Sequence, residues 1–297
     1  MPIHAEIAVD CQSVSDSNGP RPVPLPSAAW AAVVHSLTRR ETFIVNLWQR
    51  LRIVHRAWRY RRRTEPEEIS FVRHYLGRGQ IAIDIGAHQG AFTYWMRKAV
   101  GPTGHVLACE PQPELSKLLE ETKAAFKMDN VTVINAGLSS SPGTLQMFRP
   151  SRVPSALASF ECTYGTNYDV FTINVDTLDN VCTQRGLRPV RLIKCDVEGH
   201  EWDVFHGAEA VLREDRPALL FECEERMQKR HSMHELFDYL ESLGYRGAFF
   251  RQGRMVSLGE YRPEFQRDSG SQADYANNFV FVPAAEADAV LKMRCVA

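Results

Sequence analysis

The stretch from Ile81 to Trp95 leaves this chain few folds to choose from. An apolar run with one acid near its end, Ile81-Ala82-Ile83-Asp84-Ile85, passes through Gly86-Ala87-His88-Gln89-Gly90 and opens into Ala91-Phe92-Thr93-Tyr94-Trp95. The first part reads as a buried strand and the last as the start of a helix. A strand that turns straight into a helix is the unit of an open α/β sheet, whose ligands bind beyond the strands' C-terminal ends. Gly86 is free to take backbone angles closed to other residues, and Gly90 lets a ligand or the strand come close to the helix start.

The spacing of those glycines narrows the ligand. A dinucleotide fingerprint, G-x-G-x-x-G, seats a bulky pyrophosphate on the helix N-terminus. Here the pattern is D-x-G-x-x-x-G, with a carboxylate beside the pocket and no middle glycine. That suits a ligand with positive charge and no phosphate, which points to S-adenosylmethionine, leaving another nucleotide or a purely structural turn as the alternatives. An NAD-dependent dehydrogenase is disfavoured by the missing glycine.

Composition bounds the rest. A chain of 297 residues is long enough for two domains, or for one large domain with an extension. Hydrophobic and charged fractions of 44% and 24% are those of a globular protein. A formal net charge of -1 argues against nucleic acid as an obligatory partner. Seven cysteines, odd in number and without a C-x-x-C pair, fit a reducing compartment. With no run of 18 apolar residues and no signal-like start, the expectation is a cytoplasmic protein.

Three segments are expected. Residues 1–26, with five prolines among polar residues, read as a disordered lead. Residues 27–63 read as a basic amphipathic helical extension, with Trp30, Val33, Val34 and Leu37, then Ile44, Leu47, Trp48, Leu51, His55 and Trp58, at helical spacing. Its arginines are accompanied from Arg39 to Arg63 by a single acid, Glu41. Two uses stand open: packing on the catalytic body or a second subunit, or peripheral contact with an anionic membrane. Residues 64–297 are the expected catalytic domain, opening with Thr64 as N-cap and Pro66, Glu67 and Glu68 in the first helical turn.

Within that domain, His105–Cys109 reads as a second strand ending at Glu110, which follows Asp84 by 26 positions, the distance at which an acid reaches ribose hydroxyls. After a third strand, Val131–Ile134, the stretch containing Ala136 and Gly137 falls where an adenine ring would lie, without an acid for its amino group. Residues 144–148 and 170–175 read as strands flanking a long loop, 149–169, suited to a lid or acceptor segment. The second chemical cluster is Lys194-Cys195-Asp196-Val197-Glu198-Gly199-His200-Glu201. Lys194 inside a strand-like run is costly to bury alone, so it should meet Asp196, Glu198 or a ligand. Strands at 217–221, 245–250 and 277–282 complete the sheet.

Asp84–Gly90 and Lys194–Glu201 together resemble the FkbM family of S-adenosylmethionine-dependent methyltransferases, whose forms are similar to D-I-G-A-N-x-G and K-x-D-V-E-G-x-E. Glu110-Pro111-Gln112-Pro113 resembles that family's E-P-x-P element, and the likeness covers about residues 65–283. His88 departs from the usual asparagine, and as a histidine it would carry a pH-dependent charge. The resemblance implies a doubly wound, mostly parallel, seven-stranded Rossmann-like α/β sheet with an antiparallel C-terminal edge strand. It also implies O-methylation of a hydroxyl on a sugar, glycan or natural-product-like acceptor. Cofactor contacts are expected from Asp84, Gly86, His88, Gly90, Glu110, Ala136, Gly137 and Asp196.

An alcohol needs a base as its oxygen is methylated. Candidates are Asp196, Glu198, His200 and His88, with Asp196 or Glu198 preferred and Lys194 orienting; each could instead serve a structural ion pair. No resident metal is expected, the alternative being Mg²⁺ on Asp196, Glu198 and Glu222. The contrasting reading is a non-catalytic scaffold tethered through its Trp/Arg-rich helices.

Overall fold

The computed structural model describes residues 51–150, 158–160, 168–267 and 274–293. The expected lead over 1–26 and the stripe from 27 to 50 lie outside the described residues. Residues 51–59 form a helix, α1, that runs into a π-turn, Tyr60–Thr64. The helix α2, Pro66–Tyr75, follows, with proline at its first position where no N–H is needed. Its N-cap is Glu65 rather than the expected Thr64, which ends the π-turn.

The opening stretch forms β1, Ile81–Ile85, and α3, Ala91–Val100. Then come β2, His105–Cys109; α4, Pro113–Phe126; β3, Val131–Ile134; and β4, Gly137–Leu138. Next are β5, Gly143–Pro150; β6, Tyr168–Asp176; α5, Leu178–Arg185; and β7, Val190–Cys195. The chain continues through α6, Glu201–His206; α7, Glu209–Glu214; β8, Ala218–Glu222; and α8, Met233–Ser242. It closes with β9, Tyr245–Arg251; β10, Arg254–Ser257; β11, Asn278–Pro283; and α9, Ala287–Leu291.

The main sheet has eight strands in the order β10-β9-β11-β8-β7-β1-β2-β3. From β3 to β8 every pairing is parallel, whereas β11 runs antiparallel to both β8 and β9. The antiparallel C-terminal strand therefore stands inside the sheet, and β10, added as a hairpin with β9, takes the edge and makes the eighth strand. The strands expected at 144–148 and 170–175 leave the main sheet altogether. They pair as β5 and β6, with β4, in a separate three-stranded sheet.

Each face of the large sheet has its own core. One holds Ile83, Ile85, Ile193 and Cys195 against Val204, Phe205, Leu236 and Phe237. The other holds Ala82, Leu192 and Leu220 against Phe71, Val72, Trp95 and Met96. Side chains along a strand alternate between faces. Asp84 and Lys194 are thereby placed on the α2/α3 face, and the register pairs them directly. The chain order turns back between β1 and β7, so the crevice beyond their C-terminal ends is the topological switch point where such sheets bind ligands.

Candidate functional site

A cavity, partly open to solvent, lies at that switch point. Its floor is the β1–α3 loop. Gly86 has a φ of +74°, and a Cβ there would fall 1.9 Å from the carbonyl oxygen of Asp196, so only glycine lets the β7–α6 loop close against β1. Gly90 also has a positive φ, but a Cβ on it would strike Leu119, and the residue is not among those lining the cavity.

Asp84 is fully buried; Thr93 Oγ1 donates to its Oδ2 at 2.5 Å, and its Oδ1 has no hydrogen-bond partner among the described residues. Burial raises its pKa, with Lys194 and Thr93 opposing. Lys194 is buried as well, donates to Asp196 Oδ2 at 2.8 Å and stands 4.9 Å from the centroid of the Phe92 ring. Burial works against its charge, yet the carboxylates of Asp196, Asp84 and Glu65 carry its pKa above that of an ordinary lysine. Of the partners expected for a buried Lys194, namely Asp196, Glu198 or a ligand, the geometry supplies Asp196.

Glu110, at the end of β2, accepts the N–H of His88 on Oε2 at 2.8 Å and that of Gln112 on Oε1 at 2.9 Å. Burial pushes its pKa up to about 7 against those two donors and a third from the Gln112 side chain. His88 adopts a φ of +49° to aim its N–H this way. Burial, with the nearby charge of Arg56, takes its imidazole pKa down to about 4. The ring is therefore neutral across physiological pH, not the pH-variable charge expected from its composition. Ala136, Gly137 and Leu138 line the next part of the cavity with Met147, Ala158 and Phe160, an apolar slot.

Opposite them, Glu198 holds a φ of +52° and lines the cavity. Its backbone oxygen accepts from Ser159 Oγ at 2.6 Å, while its carboxylate has no hydrogen-bond partner among the described residues. Burial, reinforced by Asp196, Glu201 and Glu224, pushes its pKa up to about 8. Glu201 stands back from the cavity and ties the turn together, accepting from the Gly199 N–H and from Gln228 Nε2. His200 likewise lies outside the lining. Its Nε2 is 3.0 Å from Ser139 Oγ, its ring lies tilted against Phe160 with centroids 4.5 Å apart, and burial lowers its pKa to about 4. Glu222 is held by Asn277 Nδ2 at 2.6 Å. Among the described residues, no three His, Cys, Asp or Glu side chains form a metal-holding group, Asp196, Glu198 and Glu222 included.

Sequence reasoning passed over the wall supplied from the N-terminal side: Arg56, Tyr60 and Glu65. Burial raises the pKa of Glu65 to about 7, Lys194 opposing and Asp196 and Asp84 adding. The available signal was Glu65-Pro66, an acid fixed at a helix start by the proline after it. Local rules give the cap to Thr64 and leave Glu65 without a role, because nothing local says that α2 begins over the cavity.

A family model described as "Methyltransferase FkbM domain" matches residues 84–246, more than half of the chain. No curated protein matches it. Among solved structures, the chain is similar to a methyltransferase FkbM from Methylobacillus flagellatus, with 16% identity, a TM-score of 0.44, and 68% of this chain and 43% of that one covered. It is similar also to a SAM-dependent O-methyltransferase from Thermotoga maritima, with 16% identity, a TM-score of 0.43, and coverage of 73% and 65%. The chain thus spans less than two thirds of the length of either protein. For a fibrillarin from Aeropyrum pernix with natively bound S-adenosyl-L-methionine the identity is 13%, the TM-score 0.41, and coverage 72% of each chain.

Proposed function

The chain belongs to the FkbM methyltransferase family, and on that premise we propose that it methylates a hydroxyl oxygen of a small-molecule or glycan acceptor, with S-adenosylmethionine as donor. The residues present fit that donor. Asp84 Oδ1, buried and unmatched, is an acceptor for a cationic amino-acid end. Glu110 takes one backbone N–H on each oxygen and a further hydrogen bond from the Gln112 side chain, which leaves its carboxylate one acceptor site for a ribose hydroxyl. The slot of Leu138, Met147, Ala158 and Phe160 suits an adenine ring. When bound, the donor supplies an electrophilic methyl group on a sulfonium.

The observation that carries the reading is the division of labour between two neighbouring acids. Asp196 is engaged by Lys194, whereas the Glu198 carboxylate has no hydrogen-bond partner among the described residues and burial pushes its pKa up to about 8. Glu198 is the base: it takes the proton from the acceptor hydroxyl as that oxygen becomes the nucleophile. Lys194, held by Asp196 and oriented over Phe92, donates to the acceptor and holds it in line. Tyr60 and Glu65 close the acceptor side.

The test is Glu198→Gln. Calorimetric binding of S-adenosylmethionine is retained, while transfer of labelled methyl falls about 100-fold or more. Wild-type turnover rises with pH and levels off above about 8, because the base works only when deprotonated. Undiminished turnover in the variant removes Glu198 from the mechanism. Label recovered on nitrogen or on RNA rejects oxygen transfer to a small acceptor.

A further inference from the structure

On the outer side of α1, the π-turn and α3, four cations gather around two indole rings. The Arg61 guanidinium lies 4.9 Å from the Trp58 ring centroid and 5.2 Å from that of Trp95. Arg62 lies 4.8 Å from Trp58, and Arg73 lies 5.4 Å from Trp95. Lys98 Nζ approaches Tyr94 at 4.9 Å and Trp95 at 5.8 Å. Trp95 itself is locked in place by donating to the Ala57 carbonyl at 2.9 Å. Trp58, Trp95, Arg61, Arg73 and Lys98 wall an open hollow.

Among the described residues, none of these four cations forms an ion pair. Like charges held this close repel, and the pKa of Arg61 is lowered by burial and then by Arg73 and Arg62. Ring faces offset some of that repulsion. An anion in the hollow would offset the rest.

The helix leading into the hollow adds a second, independent feature. Leu51 is 52% exposed, one of two large apolar side chains so exposed among the described residues. Leu51, His55 and Trp58 are spaced to share a helix face, and exposed Arg52 and Arg59 flank it. An exposed leucine beside tryptophan and arginines gains nothing from a soluble phosphate or a polynucleotide. It gains burial at a lipid interface, where tryptophan sits at headgroup level and arginine meets phosphate. The positive charge is local, since the whole chain carries a formal charge of -1.

We propose that this edge is a docking surface for an anionic membrane, with a lipid phosphate entering the hollow between Trp58 and Trp95 while Leu51 enters the interface. The surface is separate from the donor cavity, none of Leu51, Arg61, Arg62, Arg73 and Lys98 lining that cavity. Docking here would set the cavity near the bilayer, because Tyr60 lines the cavity and Arg61, the next residue, lines the hollow.

Sedimentation of the full chain with vesicles tests this. It pellets with phosphatidylcholine vesicles containing phosphatidylserine and not with phosphatidylcholine alone, and high salt releases it. Arg61→Gln with Arg73→Gln weakens vesicle binding about 25-fold, near five-fold for each cation lost. The pair Arg62→Gln and Lys98→Gln, and separately Leu51→Gln, weaken it too. Thermal melting and calorimetric binding of S-adenosylmethionine stay unchanged in each variant, which shows that the variants fold. No pelleting with the acidic vesicles, or undiminished pelleting of the variants, overturns the proposal. So does binding of inorganic phosphate, or of an RNA oligonucleotide, in the absence of vesicle binding.

Discussion

Asp84 and Lys194 are paired in register on adjacent strands, and both are buried. A buried charge is tolerable only when matched, and here the matching is shared. Lys194 has Asp196 at 2.8 Å, Asp84 has Thr93 on one oxygen, and the second oxygen remains to be met. Asp84→Asn keeps the shape and removes the charge. Donor affinity measured by calorimetry is expected to fall about ten- to a hundred-fold, the scale of one hydrogen bond to a charged group; unchanged affinity would exclude Asp84 from donor binding. Much of this was legible residue by residue: Asp84, Glu110, Lys194 and Glu198 all line the cavity. His88 was legible in place but not in state, because a motif gives position whereas burial sets the pKa. His200 and Gly90 sit within matching motifs yet outside the lining, His200 meeting Ser139 and Gly90 leaving room for Leu119.

Elements were legible where local rules settle them. The helix α8 begins with Ser232, whose hydroxyl accepts the Glu235 N–H while Glu235 returns a carboxylate oxygen to the Ser232 N–H. Ser232→Ala should cost about 1 kcal/mol and lower Tm by about 2–4 °C in a thermal melt, with donor binding untouched. A fall well beyond that range would mean the cap does more than hold α8. Local rules failed where partner choice decides. The strands β5 and β6 have the apolar alternation of any half-buried strand, and nothing in that pattern states which sheet they join. The strand β11 reads as a C-terminal strand, but its place between β8 and β9 depends on both neighbours.

Across the whole molecule, buried acids couple stability to pH. Glu65, Glu110 and Glu201 titrate near 7 and Glu198 near 8 in the fold, all because of burial, against an ordinary value of 4.5. Between those values the folded chain holds protons that the unfolded chain has released, so their contribution to stability falls as pH rises from about 4.5 through 7 to 8. The donor-free protein is expected to melt at a higher temperature near pH 5 than near pH 8, with Glu201→Gln reducing the difference. A Tm that is flat or rising over that interval would show that these carboxyls are not buried as protonated acids. The sequence by itself determined the alternation that puts Asp84 and Lys194 on one face, the glycines that permit the loop, and hence the family and the residues proposed to hold the donor. These follow from local geometry, because the pleat and the turn depend only on neighbours in the chain. Only the tertiary structure decided that Arg56, Tyr60 and Glu65 wall the same cavity, that burial keeps His88 neutral, and that Asp196 is paired while the Glu198 carboxylate has no hydrogen-bond partner among the described residues. Those depend on desolvation and on contacts between segments distant in sequence, which no local pattern encodes.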